Sequence, residues 1–274
     1  MNIRLRSLAV ACIAAAATML PVVWSSPARA ESAREILDRR KTLDDTVRRW
    51  TDRHQRLHIT VTDKVGELVR ELDLYERKLP GDEQQSVLFF TMPADVKGMG
   101  FLAYTHKSRP ADQWLFLPEL ATTRRIAGRA RGEKFVGTDL SFHDLDLLNE
   151  MPAWTEEDAA SSLRSPESAD GVPCHVIEYT TKRDDIGYKK VVLWLGTDDL
   201  VPRRLEFWED PSAATKRLRQ SDVRTIGAIP LPHKVEVETL AAGSKTTIDV
   251  LEAQFNLGLE EDLFTQRGLE RGKR

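Results

Sequence analysis

Apolar positions along the chain change their period several times, and each change marks a different kind of element. The first is a continuous run, Leu8 to Val23, preceded by Arg4 and Arg6 and followed by the small-residue site Ala28-Arg29-Ala30. That is the order a signal peptidase reads, so residues 1–30 are expected to be a secretory signal peptide, cleaved after Ala30. The run is short, rich in Ala and broken by Pro21, and no stop-transfer charges follow it, which argues against a membrane anchor. Cys12 has too little apolar sequence before it to act as a lipidation cysteine. From Glu31 to Trp50, Ile36, Leu43, Val47 and Trp50 fall at near-helical spacing among charges, which predicts an amphipathic helix with those four on one face. At Leu57 the period drops to two. Leu57, Ile59 and Val61 alternate with His58, Thr60 and Thr62, as in a strand with one buried face.

Further strands are expected at short, fairly even intervals: Leu68 to Tyr75, Ser86 to Met92, Gln113 to Leu117, Thr123 to Ala127, Cys174 to Thr181, Lys189 to Leu195, Arg203 to Glu209, Leu218 to Thr225, Lys234 to Leu240 and Thr246 to Leu251. The turns between them carry Gly, Pro or Asp, as at Leu79-Pro80-Gly81-Asp82 and Gly196-Thr197-Asp198-Asp199, and suit an antiparallel meander better than βαβ units. Short helices are expected at Asp139 to Asn149 and at Thr155 to Leu163, the latter because Thr155-Glu156-Glu157-Asp158 resembles an N-cap with an acidic first turn. Gln113 to Leu117 and Val191 to Leu195 are apolar at consecutive positions, so both faces of the sheet need cover there. Helices on one face and a lined cavity on the other would supply it.

Composition narrows the class. Cleaving 30 of 274 residues leaves 244, which as a β-rich chain fits one domain over 31–274. Loss of Arg4, Arg6 and Arg29 takes the net charge from −3 to −6, which argues against a nucleic-acid partner. Only Cys174 survives cleavage, so the core is held by burial and not by a disulfide.

Compact catalytic motifs are missing: there is no Gly-x-Ser-x-Gly elbow, His-Glu-x-x-His helix, phosphate loop or dinucleotide fingerprint. No catalytic residue, metal or cofactor is therefore expected. His54 and His58 have ligand spacing only on a helix, and the strand beginning nearby removes it. Cys174 and His175 are neighbours on a strand and should point to opposite faces, leaving an inert buried thiol. Asp139, Asp144 and Asp146 with His143 read as caps of a short helix more readily than as a cation site. Arg124, Arg125, Arg129 and Arg131 form a basic patch that is either a solvated hairpin face or a contact for anionic headgroups or an acidic partner.

The block from Ser86 to Leu145, with SVLFFTMPADVKGMGFLAYTH, DQWLFLPELATTRRIAG and KFVGTDLSFHDL, resembles the outer-membrane lipoprotein-sorting family, the LolA-like periplasmic carriers. GVPCHVIEYTTK and VVLWLGTDDLVPRRLEFWE extend the resemblance over most of the chain. It departs after Gly137-Thr138-Asp139, where Leu140, Phe142 and His143 replace an expected aromatic pair and acidic residue. The resemblance implies an α+β, β-rich fold, in which a curved antiparallel sheet forms an incomplete barrel closed by helices. It implies a periplasmic, monomeric, non-enzymatic carrier that shields the acyl chains of a lipid or lipoprotein on the way to the outer membrane, with an inner-membrane lipid exporter as a partner. Phe101, Tyr104, Trp114, Phe116, Trp194 and Phe207 are the expected lining residues, and Arg124 and Arg125 the expected headgroup or partner contacts. The alternatives are an interaction module that carries nothing, which a filled core would favour, and a periplasmic hydrolase, which would need a perturbed carboxylate or histidine pair in a cleft.

Overall fold

Ser32 opens the first helix, α1 (Ala33–Asp45), with a reciprocal cap: its hydroxyl accepts from the Glu35 N–H at 3.3 Å while the Glu35 carboxylate accepts from the Ser32 N–H at 2.7 Å. The computed structural model describes residues 31–107 and 109–272; the expected signal peptide lies outside them. Ala33 and Ile36 are the buried residues of α1. The helix stops earlier than its periodicity predicts, because Thr46 leaves helical geometry, and Val47 ends 63% exposed instead of sharing a buried face with Ile36.

The strands form two antiparallel meanders. The first comprises β1 (Asp52–Thr62), β2 (Glu67–Leu79), β3 (Glu83–Met92), β4 (Gly100–Thr105), β5 (Asp112–Leu117) and β6 (Thr122–Ile126). A crossover with short 3-10 turns and the helix α2 (Phe142–Glu150) follows. The second meander comprises β7 (Ala159–Leu163), β8 (Glu167–Ala169), β9 (Val172–Thr181), β10 (Lys190–Gly196), β11 (Pro202–Trp208), β12 (Lys216–Ile226), β13 (Ile229–Thr239) and β14 (Ser244–Phe255), and a short helix α3 (Gln266–Arg271) closes the described chain. Hydrogen bonding orders the sheet β6-β5-β4-β3-β2-β1-β14-β13-β12-β11-β10-β9-β7, with β8 paired to β9 alone. The two meanders are thus joined at the centre by β1 and β14, whose register shifts at a bulge between Arg56 and Leu57. Strands β6 and β7 remain as edges, so the barrel is incomplete.

The sheet curves around the crossover, because α2 meets both halves. The ring of Phe142 lies 5.5 Å from that of Phe101 on β4, and Asp144 pairs at 2.5 Å with Lys216 on β12. Two inner clusters result, one with Ile36, Leu147, Leu193 and Leu205 and one with Leu72, Phe101, Leu115 and Phe142, with Leu145 and Ile248 packed against both. This is the expected β-rich fold of a curved antiparallel sheet with few helices. The expected helix at Thr155 to Leu163 is not formed. The Asp158 carboxylate caps a single turn by accepting from the Thr155 N–H at 2.9 Å, and Ala159–Leu163 then pairs with β9 as an edge strand. Burying that segment against a neighbouring strand outweighs a local capping signal.

Candidate functional site

The six aromatic residues expected to line one cavity are distributed over both faces of the sheet. Phe101 and Phe207 face inward, in separate clusters and each 3% exposed, beneath the crossover. Tyr104, Trp114 and Phe116 lie on the opposite face with Tyr75, Phe89, Leu102, Phe264 and Leu269. The Tyr104 hydroxyl donates to the Phe264 carbonyl at 2.6 Å, so the segment leading into α3 seals this patch. Trp194 is also on the outer face, with Cys174, Val176 and Val192, and its indole N–H donates to Glu167 of β8 at 2.8 Å. Consecutive apolar positions in β5 and β10 therefore reflect protein cover on both faces.

The basic patch is dispersed in the same way. Arg125 pairs with Asp112 at 2.5 Å, Arg131 turns inward to Asp146 at 2.5 Å, and Arg124 is exposed on the edge strand β6. The carboxylates near α2 have protein partners as well. Ser141 and Asp144 form a capping box, and Asp139 accepts from the hydroxyls of Thr239 and Thr246, at 2.7 and 2.8 Å, and from that of Ser244. Burial alone would raise the Asp144 carboxyl, but the Lys216 ammonium and the Tyr188 hydroxyl, at 2.6 Å, more than offset this and hold it below the usual range. His54 and His58 lie on β1 and contact Asp73 and Glu71 at 2.6 and 3.4 Å. Cys174 is fully buried, which raises its thiol.

The larger cavity lies where α1 passes over one end of the sheet. It has a volume of about 950 Å³ and is bounded by α1, the end of α2, the β2–β3 turn, the β10–β11 turn and the β12–β13 hairpin. Leu37, Leu148, Met151, Tyr179, Leu200 and Leu231 give it an apolar lining. Its mouth is charged, with eight Arg and Lys side chains against five carboxylates, a positive excess on a chain of net charge −3. Trp50 stands in this mouth with Arg53 Cζ at 4.7 Å and Lys78 Nζ at 4.6 Å from its ring centroid. Loss of surrounding water lowers the pKa of Lys78, with Asp44 and Asp45 opposing. None of these groups was predicted as a site, because they come from segments far apart in the sequence. The apolar spacing in Glu31 to Trp50 signalled only a helix. A second cavity of about 440 Å³, at the start of α2, is lined by polar side chains including Arg131, His143, Asp185, Tyr188 and Lys216.

Glu150, at the end of α2, is pushed up to about 7 by burial, with Arg183 opposing and Asp146 adding. Its carboxylate lies 3.4 Å from both Arg183 and the Trp154 indole N–H, so it is enclosed by protein groups.

Comparison with known proteins follows the fold. A family model described as "uncharacterized protein" matches residues 82–271. An outer-membrane lipoprotein-sorting protein domain from Vibrio parahaemolyticus is 26% identical, with a TM-score of 0.78 over 86% of this chain and 97% of that one. A DUF1329 family protein from Desulfovibrio piger is 25% identical, with a TM-score of 0.78 over 86% and 98%. A LolA superfamily protein from Nitrosomonas europaea, 20% identical with a TM-score of 0.64 over 86% and 99%, shares the fold. A search of curated proteins gives no match. These structures share the curved antiparallel sheet, so the fold is LolA-like, and because the matched model spans well over half of the chain, the chain belongs to that family of uncharacterized proteins.

Proposed function

We propose that the protein is a periplasmic carrier, exported through a signal peptide cleaved after Ala30, that shields the acyl chains of a lipid or lipoprotein during transfer towards the outer membrane. It would work beside an inner-membrane exporter. The observation that carries this reading is the cavity of about 950 Å³ beside α1, whose mixed lining includes the apolar side chains of Leu37, Leu148, Met151, Tyr179, Leu200 and Leu231. Its size lies at the upper end of the range of small-molecule sites. Each CH₂ group moved from water into such a lining gains about 0.8 kcal/mol, enough to hold a chain across an aqueous compartment. The reading moves the acyl site from Trp114, Phe116 and Trp194 to Leu37, Leu148 and Leu231. Release has to be as accessible as capture, which suits a cavity that holds a chain mainly by burial.

The test is to purify the exported protein under mild conditions and identify co-purifying lipid by mass spectrometry, beside Leu37→Glu and Leu148→Glu variants. Both leucines are partly buried and line the cavity, so the variants should fold, as circular dichroism would verify. Lipid bound to the wild type and lost from both variants is the expected result. The packed interior around Phe101 and Phe207 favours the interaction-module reading instead, and absence of lipid together with failure to take up fatty-acyl probes would select it.

A further inference from the structure

We propose that the cavity under α1 takes an acyl lipid with an anionic headgroup, whose charge is met by Arg49 and Lys78 beside Trp50; this rests on the carrier reading. Most cations at the mouth already have a carboxylate. Arg40 and Arg48 pair with Asp44 at 3.5 and 3.8 Å, and Arg53 pairs with Glu76. Lys41 pairs with Asp82 at 2.7 Å and Asp45 at 3.1 Å, and Lys107 reaches Asp82 at 3.4 Å. Arg34 pairs with Asp38 at 2.8 Å. Among the described residues, no carboxylate lies within ion-pair distance of Arg49 or Lys78. Carboxylates outnumber Lys and Arg in this chain, 43 to 40, so two unmatched cations at the mouth of an apolar cavity are not what its composition alone would place there.

The position is also firmly built. The Lys78 N–H donates to the Thr51 carbonyl at 2.8 Å, which ties the end of β2 to the segment carrying Arg49 and Trp50. Trp50 packs against Phe255 at 6.2 Å, and Arg53 and Lys78 both stand over its ring. Lys78 is thus held over a ring face that offers attraction but no hydrogen-bonded counter-charge, with Asp44 and Asp45 acting on it only from beyond ion-pair distance. A phosphate or carboxylate at this point would supply that counter-charge through charge-assisted hydrogen bonds to both free cations. The acyl chains would then extend from the mouth towards Leu37, Leu148 and Leu231.

The experiment measures binding of phosphatidylglycerol, of diacylglycerol with matched chains, and of inorganic phosphate to the exported protein. It compares wild type with an Arg49→Glu/Lys78→Glu double variant and with Lys78→Arg. Both altered side chains are exposed, so the variants should fold. Phosphatidylglycerol should bind the wild type about tenfold more tightly than diacylglycerol, a preference lost in the double variant and kept in Lys78→Arg. Equal binding of the two lipids, unchanged by charge reversal, would overturn the headgroup site while leaving the carrier reading intact. If neither lipid binds, the carrier reading fails and takes this inference with it. Inorganic phosphate binding as tightly as phosphatidylglycerol would make the site one for a free anion and overturn the lipid assignment.

Discussion

Three hydroxyls, from Thr239, Ser244 and Thr246, point at the carboxylate of Asp139, and its own N–H donates to Thr246 Oγ1 at 2.8 Å. Asp139 is 1% exposed and belongs to the crossover, whereas its partners belong to the end of β13 and the start of β14. Asp139→Ala would leave these donors without an acceptor in a dry site, and should cost about 3 kcal/mol in urea unfolding, with Asp139→Asn recovering part of it. Glu150 makes a prediction of the opposite kind. Its carboxyl titrates near 7 in the folded protein and nearer 4.5 when unfolded, so the native state gains from the protonated form. Its contribution is fullest below about 4.5, declines as pH rises, and is lost by about 7, a swing on the order of 3 kcal/mol. Stability measured from pH 4.5 to 7.5 should therefore fall less steeply in Glu150→Gln than in the wild type. At this scale the cations were the least legible from sequence. Arg124 and Arg125 form an obvious run, yet Arg125 is paired and the unmatched charges at the cavity come from Arg49 and Lys78, which only the turn of the chain at Thr51 brings to one mouth.

Leu269, fully buried on a helix of six residues, seals the outer face of β4 and β5. A helix this short has little stability of its own, so it exists because Leu269 and Phe264 bury against Tyr104, Trp114 and Phe116. Gly100 makes the fit possible, since a Cβ there would stand 2.6 Å from Leu269 Cδ1. Leu269→Ala should cost about 3 kcal/mol and shift Trp114 fluorescence to longer wavelength as water reaches the ring. Strands with one buried face were legible from their alternation, as at Leu57, Ile59 and Val61. Strand β4 was not, because Phe101, Leu102 and Ala103 are buried on both faces and show no period. The consecutive apolar residues of β5 and β10 did announce a second cover, but not its source. The covering segments are too short and too polar to declare themselves.

At the scale of the whole molecule, the crossover through α2 fills the middle of the half-barrel and leaves space at the end beneath α1. That division puts the larger cavity at one end of the half-barrel and not at the centre of the curve. The LolA-like resemblance drew attention to the aromatic residues of the strands, but the position of the cavity depends on how α1, α2 and three turns converge, which no local pattern encodes. The seam at the centre of the sheet has a temporal consequence. Residues 52–62 lie beside 244–255, so β1, among the first strands to leave the ribosome, waits for the last one made. Until then each meander presents a bare central edge, and the loop to be closed is nearly the whole domain, the kind of pairing that forms late and slowly. Chain made up to β13 is thus an adhesive intermediate, and arrest of synthesis or delivery shortly before its end would leave two half-sheets open to the strands of other chains.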